Sequence, residues 1–387
     1  MMRRRDFLGA LGLVPLFIAS PRLAFAASVA PYRNLLVLVE LKGGNDGLNT
    51  LVPYADPAYY RLRPRIGIAR DAVLQLDAQV GLHPALQPLM ALWQAGELAI
   101  VQGVGYPDPN LSHFRSIEIW DTASRSDEYL ADGWLARVFQ ANPVPRSFAA
   151  DGVVVGAAEL GPLNGRGARA IALTHTEQFL RRARLADDVA TRPTNAALAH
   201  ILKVEHDIAQ AASGLAGNQA LRTAFPPGPF GNALKTAAEV VAGSAGVAVV
   251  RVTHPGFDTH GGQPPVHERL LRELAEGLIA FRAAMREIGR WDSTLVMTYS
   301  EFGRRAQENG SLGTDHGTAN VHFVLGGKVR GGLYGEAPSL ARLEGGNLMY
   351  TVDFRCLYAT IIEKGWGLPA AGVLNGKFPL LDLLRAA

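Results

Sequence analysis

The strongest constraint on this chain is a recurring unit: a short apolar run followed by a tight cluster of Gly, Asp, Asn, His and Glu. Such runs occupy residues 34–41, 98–104, 152–156, 168–173, 246–252, 293–299 and 321–325. Each has strand length and is too continuously apolar for a half-exposed strand, which is the pattern of a strand buried on both faces. Helical patterns lie between several of them. In residues 266–289, Leu270, Leu271, Leu274, Leu278, Ile279, Met285 and Ile288 share one face. Glu268, Arg272, Glu273, Glu276, Arg282 and Glu287 fall largely on the others. A second helix is expected from Asn195 to about Ala212, just after Pro193-Thr194. Strands alternating with helices of this length predict βαβ units and an α/β fold around a mainly parallel central sheet. The stretch Pro226-Pro227-Gly228-Pro229-Phe230-Gly231 is the clearest loop break, and it would close a helical insertion over about 175–225.

The first 26 residues read differently. Arg3, Arg4 and Arg5 precede an apolar run from Phe7 to Ala19, and Ala24-Phe25-Ala26 offers a small-residue cleavage site. That is the layout of an export signal. Arg4-Arg5-Asp6-Phe7-Leu8 fits the twin-arginine pattern, which routes proteins that fold before export. The expected organisation is therefore a signal over residues 1–26 and one α/β domain over 27–387. The expected location is periplasmic or secreted, and the expected partner of the signal is the Tat translocation machinery. The apolar run is shorter than the ~20 residues a span requires, and no membrane span is expected in the mature chain. Removing Arg3, Arg4, Arg5, Arg22 and Asp6 takes four of 38 basic and one of 35 acidic residues, which leaves the two signs balanced. The formal +3 of the whole chain thus gives no basis for nucleic-acid binding.

Composition bounds the chemistry. With 48% apolar and 19% charged residues the chain is of globular type. A single cysteine, Cys356, excludes an intramolecular disulfide framework and a thiolate-rich metal cluster. Glycine is in excess, at 42 of 387 residues, and it gathers beside the polar clusters.

Those clusters sit at predicted strand ends. Asp46 lies in Gly43-Gly44-Asn45-Asp46-Gly47 after the first run; Asp258 and His260 follow the run 246–252. Glu301 and Arg304 follow the run 293–299, and Asp315-His316 precede the run 321–325. In open α/β sheets ligands bind beyond the carboxyl ends of the strands. Asp, Glu and His without Cys are ligands of zinc, manganese, magnesium, calcium or non-haem iron. Asp46, Asp258, His260, Glu301, Asp315 and His316 are therefore expected to share a divalent metal site holding one or two ions. Ser112 is expected at the start of a helix whose apolar spacing runs through Phe114, Ile117 and Trp120. A serine there caps the helix, and the same position suits a nucleophile whose anionic partner is held by the helix N-terminus. His113 is a candidate ligand or acid, and Arg304 a candidate for holding an anionic substrate oxygen.

The blocks GGNDGLNTLVPY, SHFRSIEIWDT, GWLARVF, FDTHGGQ, SEFGRR, GTDHGTA, FVLGGKVRGGLYGE and DFRCLYATIIE, in this order, resemble the DUF1501 family of exported proteins. That family is regarded as a distant relative of the alkaline phosphatase superfamily, which includes sulfatases and metal-dependent phosphomutases. The resemblance implies an alkaline-phosphatase-like sheet with helices on both faces. It also implies a strand-end acid at Asp46 and a nucleophile at Ser112. Asp258 with His260 resembles a D-x-x-x-H pair at shorter spacing. Glu301 stands where that superfamily has the Asp of an Asp-His pair, with Phe302 in place of the His, and His316 takes the late-histidine role. Phe302 argues against a complete two-ion site and leaves one ion, or a site rebuilt around Asp315, as the alternatives.

Two functions from different classes follow. The first is a metal-dependent hydrolase of the phosphatase or sulfatase type, acting on a small or polymeric anionic ester. The second is a non-catalytic periplasmic binding or assembly protein that kept the fold. A GxND-type serine esterase shares Gly43-Gly44-Asn45-Asp46. It lacks the upstream G-D-S nucleophile and a late D-x-x-H in this chain.

Overall fold

The computed structural model describes residues 31–174, 220–243 and 246–385. The export signal, the helix expected over 195–212 and most of the expected insertion over 175–225 lie outside the described residues.

A nine-stranded sheet organises the fold. Its strands are β1 (Leu35–Lys42), β2 (Leu98–Gly105), β3 (Phe148–Val155), β4 (Ala170–Leu173) and β5 (Gly246–Pro255). They are followed by β6 (Thr294–Tyr299), β7 (Asn320–Leu325), β8 (Gly332–Tyr334) and β9 (Val352–Asp353). The spatial order is β8-β2-β7-β6-β1-β5-β3-β4, with β9 alongside β2. β1 runs parallel to both of its neighbours, with Leu36 opposite Val249 of β5 and Leu295 of β6. β7 is antiparallel to β6 and to β2, and the remaining pairings are parallel. All seven expected strands are present, within a few residues of the expected bounds. β8 and β9 were not foreseen, because runs of two or three residues carry no periodicity.

The sheet is buried on both faces, as the continuous apolar runs required. Alternate residues of β1 feed opposite cores. Leu35, Val37, Val39 and Leu41 pack with Phe230, Leu234, Leu271 and Phe281, whereas Leu36 and Leu38 pack with Trp120, Trp134, Leu357 and Tyr358. The first face is covered by α3 (Pro229–Ala242) and α4 (Gln263–Glu287). The second is covered by α1 (His113–Thr122), α2 (Trp134–Ala141) and α5 (Phe354–Thr360). Burying each such Leu, Val or Phe contributes roughly 1.5–3 kcal/mol. None of the described helices is long and apolar enough to cross a membrane.

Helix starts follow local chemistry. Both α3 and α4 carry proline in the first turn, where a missing N–H is harmless and the fixed φ fits a helix. The break expected at Pro226–Gly231 is therefore narrower than expected: its second half already belongs to α3. Asp353 caps α5 by accepting the Arg355 N–H at 2.9 Å.

This topology brings the polar clusters to one edge. β1, β2, β5 and β6 point the same way, so the segments after Lys42, Gly105, Pro255 and Tyr299 all emerge at one rim. β7 runs the opposite way, so the segment that precedes it, with Asp315 and His316, meets the same rim. The antiparallel course of β7 is what lets a cluster before a strand join clusters after strands.

Candidate metal centre

Close backbone approach assembles the rim. Gly43 has φ +121°, and a Cβ there would lie 2.3 Å from the Asp258 nitrogen, so only glycine lets the β1 and β5 loops meet. A Cβ on Gly313 would lie 2.3 Å from the His260 carbonyl carbon, which fixes the loop before β7 against the loop after β5.

Arg304 ties these loops together from beneath. It is buried, and its Nε donates to the Gly44 carbonyl at 2.7 Å and its Nη1 to the Thr314 carbonyl at 2.9 Å. Its Nη2 bonds the Gly43 carbonyl, the Phe257 carbonyl at 3.1 Å and Asp258 Oδ1 at 2.6 Å. The expectation that Arg304 holds a substrate oxygen is thus corrected: every guanidinium nitrogen is already engaged inside the protein. It is a clamp that sets the position of Asp258.

Around Asp258 three imidazoles converge. His260 Nε2 lies 3.0 Å and His316 Nε2 3.3 Å from Asp258 Oδ1, and these two nitrogens are 2.9 Å apart. His113 Nε2 lies 3.4 Å from Asp258 Oδ2. His113, Asp258 and His316 each offer one ligand atom within 4.8 Å of the others. The far nitrogens face acceptors. His113 Nδ1 is 2.8 Å from Glu301 Oε1, His316 Nδ1 is 2.8 Å from the Leu111 carbonyl, and His260 Nδ1 is 3.6 Å from Asp315 Oδ1. Phe302 packs against the rings of His113 and His316, with centroids 4.9 and 4.5 Å away.

Electrostatics follow from these contacts. The hydrogen bond to Glu301 raises the His113 pKa, with burial opposing it and the charges of Glu301 and Asp258 adding to it. Burial lowers that of His316, partly countered by its bond to the Leu111 carbonyl. Asp258 is pushed up by burial, but Arg304, His260 and His113 outweigh this and hold the carboxyl below its usual value.

The expected ligands therefore divide. Asp258, His260 and His316 come together, and His113 joins them by facing Asp258 with Nε2. Glu301 stands behind His113. Both its oxygens accept the Gly43 N–H, at 2.9 and 3.1 Å, and Ser300 Oγ lies 3.3 Å from Oε2. Asp315 stands outside His260 and accepts from Asn309 Nδ2 at 3.1 Å. Asp46 is placed elsewhere. Its Oδ2 takes Arg63 Nη1 at 2.6 Å and Gln263 Nε2 at 2.5 Å, and its Oδ1 caps a short helix through the Asn49 N–H at 3.4 Å. Gln263 in turn accepts from Thr259 and Thr314 through Oε1, so Asp46 supports the ligand loops from below. Sequence reasoning missed this role because Arg63 lies in no cluster; Gln263, in the block FDTHGGQ, was visible but unassigned.

Ser112 occupies the N-cap of α1 as expected. Its side chain makes no capping bond and is exposed, directly before His113 and directly after the Leu111 carbonyl that holds His316. The loop is fixed by Tyr106, whose hydroxyl meets Asn110 N at 3.1 Å and Ser116 Oγ at 2.7 Å; Ser116 in turn donates to the Glu301 carbonyl.

A profile described as "Protein of unknown function (DUF1501)" matches residues 33–364. The chain belongs to the DUF1501 family. No curated protein matches this member in sequence. Among solved structures it is similar to the C-terminal periplasmic domain of EptC from Escherichia coli in complex with zinc. Identity there is 11%, over 77% of this chain and 73% of that one, with a TM-score of 0.38. It is also similar to an alkaline phosphatase superfamily protein from Vibrio parahaemolyticus, at 10% identity and TM-score 0.38. That alignment covers 79% of this chain and 63%, less than two thirds, of the other. A phosphonate monoester hydrolase from Silicibacter pomeroyi aligns at 11% identity over 91% of this chain and 75% of its own, with TM-score 0.39.

Proposed function

We propose that this DUF1501 member is an exported, metal-dependent hydrolase of phosphoric or sulfuric esters. The observation that carries the reading is the convergence of three imidazoles on Asp258, with the exposed Ser112 directly before His113 in the chain. The donor set fits a divalent ion: imidazole nitrogens with outer acceptors and one carboxylate are what such ions take. His113, Asp258, His260 and His316 would hold it. When bound, such an ion polarises an ester oxygen and lowers the pKa of a nearby hydroxyl.

The chain's own groups supply the rest. Ser112 would supply its hydroxyl to an ester at the centre, and the N-terminus of α1, which starts at His113, would hold non-bridging ester oxygens. Tyr106 and Ser116 keep that loop in place, and Arg304 holds Asp258 while leaving the anion to the helix. Export by the twin-arginine route, with the Tat machinery as partner, follows from residues 1–26. It would place this chemistry in the periplasm or outside the cell.

The test is turnover of aryl phosphate and aryl sulfate esters by the purified chain, stripped of metal and then given zinc, manganese, magnesium or calcium. Metal-dependent turnover that drops at least about 100-fold in Ser112→Ala is expected. A metal-loaded chain that turns over neither ester class sinks the hydrolase. If the same chain is thermally stabilised by those esters without turnover, it is instead the binding or assembly protein that the aromatic Phe302 at a ligand position suggests.

A further inference from the structure

We infer that this chain binds one ion, not two, and that the ion is a borderline transition metal, zinc foremost, held by Nε2 of His113, His260 and His316 and by the Asp258 carboxylate. The inference deepens the metal dependence proposed above, and metal binding tests it without reference to turnover.

Hydrogen-bond logic sets the donors. A carbonyl oxygen only accepts, so His316 must carry its proton on Nδ1, 2.8 Å from the Leu111 carbonyl. The same holds for His113 beside the Glu301 carboxylate, at 2.8 Å. In neutral rings of this tautomer Nε2 bears only a lone pair. Nε2 of both rings faces Asp258, and His260 Nε2 does the same with the Asp315 carboxylate behind its Nδ1. Nε2 of His260 and His316 lie 3.0 and 3.3 Å from Asp258 Oδ1 and 2.9 Å from each other, and Nε2 of His113 lies 3.4 Å from Asp258 Oδ2, so these donors gather around one carboxylate. The spacing is informative. Metal–ligand bonds of about 2.0–2.1 Å in a tetrahedral arrangement separate neighbouring ligand atoms by about 3.3 Å. The contacts of Asp258 with the three imidazoles are near this value, while His113, Asp258 and His316 as a group lie within 4.8 Å of one another.

Donor type selects the class of ion. Magnesium and calcium take oxygen ligands, whereas imidazole suits zinc, iron, copper and nickel. Three nitrogens and one carboxylate therefore disfavour the hard cations. Each outer acceptor fixes one ring, as Glu301 does for His113, and such acceptors strengthen metal binding by orienting the ligand.

A second ion lacks donors. Asp46 is consumed by Arg63, Gln263 and Asn49; Glu301 is consumed by Gly43, Ser300 and His113. The Phe302 ring lies against His113 and His316, where a further ligand would have to stand.

The experiment is metal titration of the purified, metal-stripped full chain with zinc, then with cobalt as a spectroscopic probe, in the presence or absence of millimolar magnesium or calcium. The expected result is one equivalent per chain, visible cobalt bands of four-coordinate nitrogen–oxygen type, and no displacement by magnesium or calcium. Glu301→Gln and His316→Ala should each weaken zinc binding, the first by about 10–100-fold. Asp46→Asn should leave the stoichiometry at one. Circular dichroism of the zinc-free variants against the zinc-free parent separates loss of a ligand from loss of fold. Two equivalents, displacement of cobalt by magnesium or calcium, or unchanged zinc affinity in a folded His316→Ala overturns the inference. One bound zinc in a chain inert toward every ester leaves the inference standing and removes only the hydrolase. A chain that takes up no metal removes both.

Discussion

Asp46→Asn discriminates between a ligand and a structural carboxylate. Asp46 and Arg63 are 1% and 0% exposed, their atoms meet at 2.6 Å, and Arg63 also donates to the Asn49 side chain and to the Ala306 and Arg305 carbonyls. Neutralising Asp46 leaves the guanidinium buried without its counter-charge. Breaking a buried pair in this way typically costs about 3–5 kcal/mol. An unfolding entropy of about 2.1 cal/mol/K per residue over the roughly 310 described residues gives about 0.65 kcal/mol/K, so Tm should fall by about 5–8 °C. The double variant Asp46→Asn/Arg63→Met removes the stranded charge and should recover part of the loss. Burial alone would raise the Asp46 pKa, yet Arg63, His267 and Gln263 together hold it below the usual value. A folded pKa below the unfolded one makes the contribution complete above the unfolded value near 4 and lost as pH falls through the lower folded value. The assay is thermal and urea unfolding at pH 7 and at pH 3, with zinc titration alongside. A folded Asp46→Asn that keeps its Tm but no longer binds zinc would show Asp46 to be a ligand and refute the ion-pair argument.

Further outcomes follow from the same contacts. Gly43→Ala places a Cβ 2.3 Å from the Asp258 nitrogen at φ +121°, so its zinc affinity should fall at least about 10-fold, read by zinc titration; unchanged affinity would mean that the two loops need not touch. His322 is buried in the core beside Trp120, at 5.3 Å between ring centroids, with no partner among the described residues for either nitrogen, and its pKa is lowered by burial to about 3. His322→Leu should raise stability by about 1–3 kcal/mol in urea unfolding; a loss would reveal a polar role. Burial also lowers His83 to about 4 and His267 to about 3. Both bind fewer protons folded than unfolded, so their contribution is full above about pH 6.5 and declines as pH falls toward the folded values. The acid-unfolding midpoint of His83→Gln should accordingly move to lower pH, and a midpoint moving upward would reverse the sign of this argument.

The sheet was legible because its evidence is local. Seven apolar runs had strand length, and all form strands; six are largely buried, while the edge run 168–173 is only partly covered. Ser112 at a helix start was legible for the same reason, since capping is set by adjacent residues. The glycines beside the candidate ligands pointed to tight backbone turns, and the approach of Gly43 to Asp258 and of Gly313 to His260 shows which contacts they permit. The roles within the centre were less legible. Asp46, Glu301 and Asp315 have the ligand chemistry in sequence, but a carboxylate binds whatever reaches it first. Arg63 takes Asp46, while Gly43 and His113 take Glu301. Arg304 looks like an anion-binding arginine until four loop carbonyls and Asp258 are found around its buried head.

Sequence alone determined the alternation of strands and helices, the set of residue types able to hold a metal, and the exclusion of an intramolecular disulfide framework and a thiolate-rich metal cluster by a lone Cys356. Tertiary structure decided which of those residues meet. Strand direction did most of this: with β7 antiparallel to its neighbours, His316 enters the rim from the opposite sense and reaches Asp258. No pattern along the chain encodes that, because pairing direction is fixed by long-range hydrogen bonding between strands far apart in sequence.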